Sequence, residues 1–258
     1  MRSQPARSTV TPLRLRLEPV GARGRIGLLA LATDVNSEQD LRRMAPDGVE
    51  IFTNRIANAN PVTIANLRAM AGDVTRAAGG ILPGNRIDVL VYGCTSGTVA
   101  IGAAEIARLI GAARPGLPCT DPISATLAAC ATLHARRVSL LTPYTAAVND
   151  AIADDLRSRG LEVVSVAGFD LDQDDDMTAV PPAAILAAGV EVCDPRADLL
   201  FVSCTALRTS EVVGELEAAL GRPVVASNPA LLWHALRLIG NADPVHGYGR
   251  LFDRPLMA

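Results

Sequence analysis

The chain has no lysine; all 24 of its basic residues are arginine. Chemistry that needs a catalytic amine is thereby excluded. No Schiff base can form to pyridoxal phosphate or to a carbonyl substrate, and no Walker lysine is available for a nucleotide phosphate. Cysteine is sparse: five residues, at 94, 119, 130, 193 and 204, with no CxxC pair. That spacing argues against a structural zinc site and offers no disulfide framework, so a reducing cytoplasm is the expected compartment. The net charge of -3 argues against a polyanion binder such as a nucleic-acid protein. Apolar runs are of strand length or broken by polar residues, so no membrane span is expected.

What is present is aliphatic. Apolar residues make up 49% and aromatics 3% of 258 residues, which suits an α/β protein with β-branched strands and Ala/Leu-rich helices. The length allows one large domain or two small ones. The first 25 residues hold six arginines and no acid before Glu18. They lack the apolar core of a targeting peptide, and Pro5, Pro12 and Pro19 interrupt any helix. A loose arm over residues 1–24, followed by an edge strand, is expected.

Strands and helices alternate along the rest. Strands are predicted at Arg25–Thr33, Ile87–Tyr92, Leu117–Thr120, Val138–Thr142, Val163–Ala167, Leu199–Ser203 and Val224–Ala226. Helices are predicted at Pro61–Ala78, Gly97–Ile110, Ile123–Leu133, Ala146–Ser158, Pro181–Cys193, Thr209–Leu220 and Pro229–Ile239. Residues 170–176 read as an acidic surface loop. Such alternation implies parallel sheets with helices on both faces, and ligands in such folds collect at the carboxyl ends of the strands.

Two of those ends repeat one another. Asp88-Val-Leu-Val-Tyr-Gly-Cys94-Thr95-Ser96 and Asp198-Leu-Leu-Phe-Val-Ser-Cys204-Thr205-Ala206 lie 110 residues apart. Each is followed by a Gly-x-Pro segment, at Gly116 and at Gly221, that leads into another helix. A duplicated α/β unit with a cleft between the copies accounts for this. The lobes are expected at 25–120 plus 226–258 and at 121–225. Asp88 and Asp198 start their strands about 20 Å from the cysteines, too far for chemistry, and read as strand-entry residues. His134, His234 and His246 are scattered and read as surface or core-edge residues.

Cys94 and Cys204 are the candidate catalytic residues. A helix N-terminus lowers a thiol pKa and its free N–H groups hold anions. Each turn thus offers a thiol and a carboxylate seat together, with Thr95, Ser96, Thr205 and Ala206 as the flanking binding residues. Two facing thiols suit two reactions: removal and return of a proton on opposite faces of a carbon, or addition to a carbon–carbon double bond followed by rotation and elimination.

These motifs resemble the aspartate/glutamate racemase superfamily, in the branch of maleate cis–trans isomerases and arylmalonate decarboxylases. The resemblance covers residues 25–254. It is carried by Tyr92-Gly-Cys94-Thr-Ser96, Leu141-Thr-Pro-Tyr144, Ser203-Cys204-Thr205 and Gly247-Tyr-Gly-Arg-Leu-Phe252. Ala32–Asp40 and Asn58–Pro61 are similar to the ectoine-utilisation protein A subgroup, which would place the chain in ectoine degradation. The resemblance implies two flavodoxin-like lobes, a small carboxylate substrate between them, no cofactor or metal, and a homodimer. It assigns nucleophile and proton partner to Cys94 and Cys204, and carboxylate binding to Tyr144 and Asn36. The chain departs from maleate isomerases in reading Asp34-Val-Asn36-Ser37 where they carry Ser-Ser-Asn-Thr. It departs from arylmalonate decarboxylases in having Cys94 where they have glycine. Racemisation or cis–trans isomerisation is therefore the leading reading; decarboxylation and ligand binding without turnover are the alternatives.

Overall fold

A computed structural model describes residues 14–257; most of the expected N-terminal arm, residues 1–13, lies outside the described residues. Regular structure begins with β1 (Gly24–Leu31), α1 (Ser37–Met44), β2 (Val49–Ile56), α2 (Ile64–Ala69), α3 (Ala71–Gly80), β3 (Val89–Tyr92), α4 (Thr95–Ile101), α5 (Ala103–Ala113) and β4 (Cys119–Thr120). After α6 (Pro122–Thr132) come β5 (Arg137–Tyr144), α7 (Ala146–Ser158), β6 (Glu162–Leu171), α8 (Asp174–Ala179), α9 (Pro182–Val192), β7 (Leu199–Val202), α10 (Val213–Leu220), β8 (Val224–Ala226) and α11 (Ser227–Leu238).

The strands form two parallel four-stranded sheets, ordered β2-β1-β3-β4 and β6-β5-β7-β8. The two orders are the same topology written twice. Each central pair, β1/β3 and β5/β7, is buried along nearly its whole length, as a sheet covered on both faces requires. β1 therefore has a neighbour on each side, as the buried apolar run from Arg25 implies, and no edge strand precedes it among the described residues. The edges of this sheet are β2 and β4, and sequence periodicity misses β2. Its Glu50, Thr53, Asn54 and Arg55 are at least partly exposed, so its apolar signal is diluted.

Strand entry repeats as well. Asp88 accepts a hydrogen bond from the Arg25 backbone N–H at 2.8 Å, tying β3 to the start of β1. Asp198 accepts from Arg136 N at 2.9 Å and Arg137 N at 2.8 Å, tying β7 to the start of β5. The Arg137 guanidinium grips the same carboxylate at 2.7 Å and, with those two N–H groups, holds its pKa well below the usual range.

Several elements are more broken than their sequence suggests. The helix read across 97–110 is two helices bent by 94° at Gly102. The helix read across 61–78 divides at Met70. The acidic stretch 170–176 is not a surface loop throughout: β6 runs to Leu171, and Asp174 is buried at the first turn of α8. α6 leaves the first sheet and α11 leaves the second, and these two helices pack on each other and join the lobes. Trp233 of α11 is fully buried there. Among the described residues no single helix is long and apolar enough to cross a membrane.

Gly102 takes φ +97 and ψ +130 with open space around its Cα, a conformation that residues with a Cβ avoid. Gly102→Ala should therefore cost about 1–3 kcal/mol through backbone strain alone. Urea denaturation should show a lower midpoint with an unchanged slope; an unchanged midpoint would mean the bend is not built on this residue.

Candidate active site

Each sheet delivers one cysteine at the carboxyl end of its third strand. Past β3, Cys94 is the N-cap of α4 and its Sγ accepts from Gly97 N at 3.2 Å, with Ser96 Oγ 3.6 Å away. Gly97 is needed for that closeness. A Cβ there would lie 2.5 Å from the Tyr92 hydroxyl, 2.7 Å from Met70 Cε and 3.0 Å from Cys94 Sγ. As the first two residues of the helix, Thr95 and Ser96 have backbone N–H groups with no intrahelical acceptor.

The second turn differs. Cys204 is followed by a loop and a single 3₁₀ turn, and α10 starts only at Val213. Its thiol is therefore held by loop amides rather than by a helix N-terminus. Ala206 N donates to Cys204 Sγ at 3.3 Å, and the Leu207 amide and the Tyr144 hydroxyl are directed at the same sulfur. Cys204 itself has φ +154, and its own N–H donates to Ser227 Oγ at 3.0 Å.

Both cysteines open onto one narrow cavity of about 30 Å³ between the lobes, room for roughly two waters. Of the residues expected from sequence, Cys94, Ser96, Cys204, Thr205 and Ala206 line it. Tyr144 is buried beside Cys204, with its hydroxyl also directed at Ser96. Leu31, Val62, Leu67 and Met70 form an apolar wall, and Thr33, Asn58 and Asp174 form a polar end. That polar end crosses the lobe boundary. Asp174 Oδ2 accepts from Thr33 Oγ1 at 2.5 Å and Asn58 Nδ2 at 2.9 Å, while Val62 N donates to Asp172 O at 2.7 Å. Sequence reasoning missed Asp174 because it lies in an acidic run whose other members, Asp170, Asp172, Asp175 and Asp176, are all exposed.

Asn36 and Thr95 are placed behind the cavity. The Asn36 amide donates to Thr205 O at 3.0 Å, Leu207 O at 3.2 Å and Asp40 Oδ2 at 3.3 Å, so it supports the Cys204 loop from outside. Asp40, 1% exposed, also takes Asn228 Nδ2 at 2.9 Å and the Ser210 hydroxyl at 2.8 Å. Burial raises the pKa of this carboxyl despite those donors. Thr95 Oγ1 pairs with Ser227 Oγ at 2.9 Å, and Thr205 Oγ1 donates to Gly93 O at 3.1 Å. Each turn is thus stitched to the backbone or support of the other.

Burial dominates the electrostatics of the thiols. It pushes Cys94 up to about 12 against the pull of Ser96 and Gly97 N–H. It pushes Cys204 up to about 11 against the pull of Tyr144 and the Ala206 and Leu207 amides. Proximity to each other and to Asp174 adds to the rise at Cys94, and Asp174 does so at Cys204. The activation expected from a helix N-terminus is present at Cys94 but is outweighed by desolvation.

Because only the thiolate alkylates, iodoacetamide at about pH 7.5 should label partly exposed Cys193 before Cys94 or Cys204. Labelling at the two buried positions should climb with pH beyond about 9 without levelling off. Peptide mass spectrometry reads both outcomes; preferential labelling of Cys94 near neutrality would show that burial does not control its ionisation.

The site has relatives. The arylmalonate decarboxylase family model matches residues 96–252. The chain is 37% identical over 157 residues to the arylmalonate decarboxylase of Bordetella bronchiseptica, a match spanning 59% of this chain and 65% of that enzyme, just under two thirds of its length. A solved double mutant of arylmalonate decarboxylase in its liganded form, with one glycine changed to cysteine and one cysteine to serine, superposes with a TM-score of 0.78. It is 30% identical, and the match covers 89% of this chain and 99% of that one. The Nocardia farcinica maleate cis–trans isomerase, solved as a cysteine-to-serine mutant with a covalently bound succinylcysteine intermediate, gives a TM-score of 0.80 at 20% identity. That match covers 89% of this chain and 98% of that one. The two-lobe fold is common to all of them, and the extent of the family match establishes that this chain belongs to the arylmalonate decarboxylase family, within the maleate isomerase and decarboxylase branch of the aspartate/glutamate racemase superfamily.

Proposed function

We propose that the chain is a cofactor-independent isomerase or racemase for a small carboxylate, with Cys94 and Cys204 acting from opposite sides of one bound molecule. The observation that carries this reading is that two thiols from equivalent strand ends open onto the same cavity, each with its own set of donors. A substrate carboxylate is received by the Ser96 and Tyr144 hydroxyls and the free amide of Ser96, with Thr205 and Ala206 forming the facing wall. In racemisation, one thiolate takes the proton alpha to the carboxylate. The C–H electron pair moves toward the carboxylate, and the opposite thiol supplies a proton to the other face. In cis–trans isomerisation, one thiolate adds to the double bond and the other cysteine protonates the adjacent carbon. After rotation about the new single bond, that cysteine takes a proton back from the same carbon as the C–S bond breaks, which re-forms the double bond and releases the first thiolate. The succinylcysteine of the Nocardia enzyme is an adduct of the kind the second route forms.

Decarboxylation of a malonate-type acid is the second reading, favoured by the family match over 96–252 and by the apolar wall of Leu31, Val62, Leu67 and Met70. It needs one proton-donating cysteine rather than two.

The two readings separate by mutation. Under the first, Cys94→Ser and Cys204→Ser each reduce turnover by about 10²-fold or more, followed as alpha-deuterium incorporation in deuterium oxide or as fumarate formed from maleate. Under the second, carbon dioxide release from an arylmalonate persists in Cys94→Ser and is lost in Cys204→Ser. Native turnover in both variants would rule out the two-cysteine mechanism.

A further inference from the structure

Among the described residues, the cavity that holds both thiols is lined by carboxylates and by no cation. Its lining includes Asp34 and Asp174 but no arginine and no histidine, in a chain that has 24 arginines to spend. Asp34 is already used: it accepts from Asn36 N at 2.8 Å, from Ser37 N at 3.0 Å and from the Ser37 hydroxyl, which closes the turn into α1. Asp174 is different. It is only 9% exposed, and both of its side-chain donors, Thr33 and Asn58, converge on Oδ2. Oδ1 has no hydrogen-bond partner among the described residues. A largely buried carboxylate on the cavity wall, held through one oxygen and with the other free of protein donors, has acceptor capacity to offer a bound molecule.

A dicarboxylate is a poor match for this arrangement. With one of its carboxylates at Ser96 and Tyr144, the other would reach the end of the cavity where Asp174 sits, with no lining cation to offset like-charge repulsion. An ammonium group suits the same position, because it brings both opposite charge and donors. Thr33 and Asn58, both donors to Oδ2, hold the carboxylate at the cavity wall and leave Oδ1 free to accept. The apolar wall beside it accommodates a short aliphatic side chain. Asp172 and Asp174 come from the second lobe, and Asn58 and Val62 from the first. The ammonium seat therefore exists only when the lobes are together.

We propose that Asp174 is the specificity-determining residue of this site: it receives the ammonium group of a zwitterionic substrate, a short aliphatic 2-amino acid, and turns dicarboxylates away. This rests on the two-cysteine reading above for the reaction, though not for the binding. On that reading the step is a balanced proton exchange. The alpha C–H bond breaks to one sulfur, its electron pair passes into the carboxylate, and a new C–H bond forms with the proton of the other sulfur.

The test is calorimetric titration of the full chain with D- and L-2-aminobutyrate, butyrate and maleate, in wild type and in Asp174→Asn. Asparagine keeps an oxygen for Thr33 and Asn58, and a thermal melt checks that the variant is folded. Wild type should prefer 2-aminobutyrate over butyrate and maleate. Asp174→Asn should lose roughly 30-fold or more of the aminobutyrate affinity while binding maleate better. A wild type that binds maleate or butyrate as tightly as 2-aminobutyrate, or does not bind the amino acid, overturns the proposal with no recourse to the variant. So does a folded Asp174→Asn that retains the preference. Alpha-deuterium exchange on 2-aminobutyrate in deuterium oxide is read in parallel. Binding that depends on Asp174 without exchange leaves the ammonium seat standing and removes the two-base mechanism. Exchange that survives Asp174→Asn at full affinity leaves the mechanism and removes the seat.

Discussion

Two threonine hydroxyls determine how the cysteine turns sit against each other. Thr205 reaches from the second turn to the Gly93 carbonyl, one residue before Cys94. Thr95 reaches from the first turn to Ser227, and Ser227 accepts the Cys204 backbone N–H. Both bonds are buried, where an unmet hydroxyl or carbonyl costs far more than a made bond gains. The separation of the sulfurs is consequently not left to the loose packing of two lobes. A buried carboxylate, Asp40, anchors the outer side of the same seam through Asn36, Asn228 and Ser210. Its desolvation is tolerated because several donors share it.

That tight seam has a chemical cost. A site dry enough to hold two thiols apart at fixed distance also disfavours their ionised form, and the donors around each sulfur only partly offset this. The narrowness of the cavity has the same origin. Its polar end is made by contacts between the 58–62 and 172–174 segments of different lobes. The polar end of the cavity and part of the contact between the lobes thus rest on one set of hydrogen bonds.

Much of this was legible along the chain. The Asp-to-Cys repeat exposed the duplication, and the sheet orders β2-β1-β3-β4 and β6-β5-β7-β8 are its structural form. Asp88 and Asp198 read as strand-entry residues, and both tie the first residues of a neighbouring strand. Local pattern failed where local signal was weak. β2 is an edge strand with polar residues on its open side. The breaks at Met70 and Gly102 interrupt helices whose apolar spacing continues across them.

The sequence by itself determined the alternation of elements, the duplication and the two cysteine turns, because each depends on periodicity or on residues adjacent in the chain. Only the tertiary structure decided which side chains share the cavity. Asn36 and Thr95 lie next to the right motifs yet face away from it. Asp174 lies in an unremarkable acidic run yet faces inward. The reason is physical: inward or outward is set by where one lobe meets the other, and that contact joins residues as distant in the chain as Thr33 and Asp174.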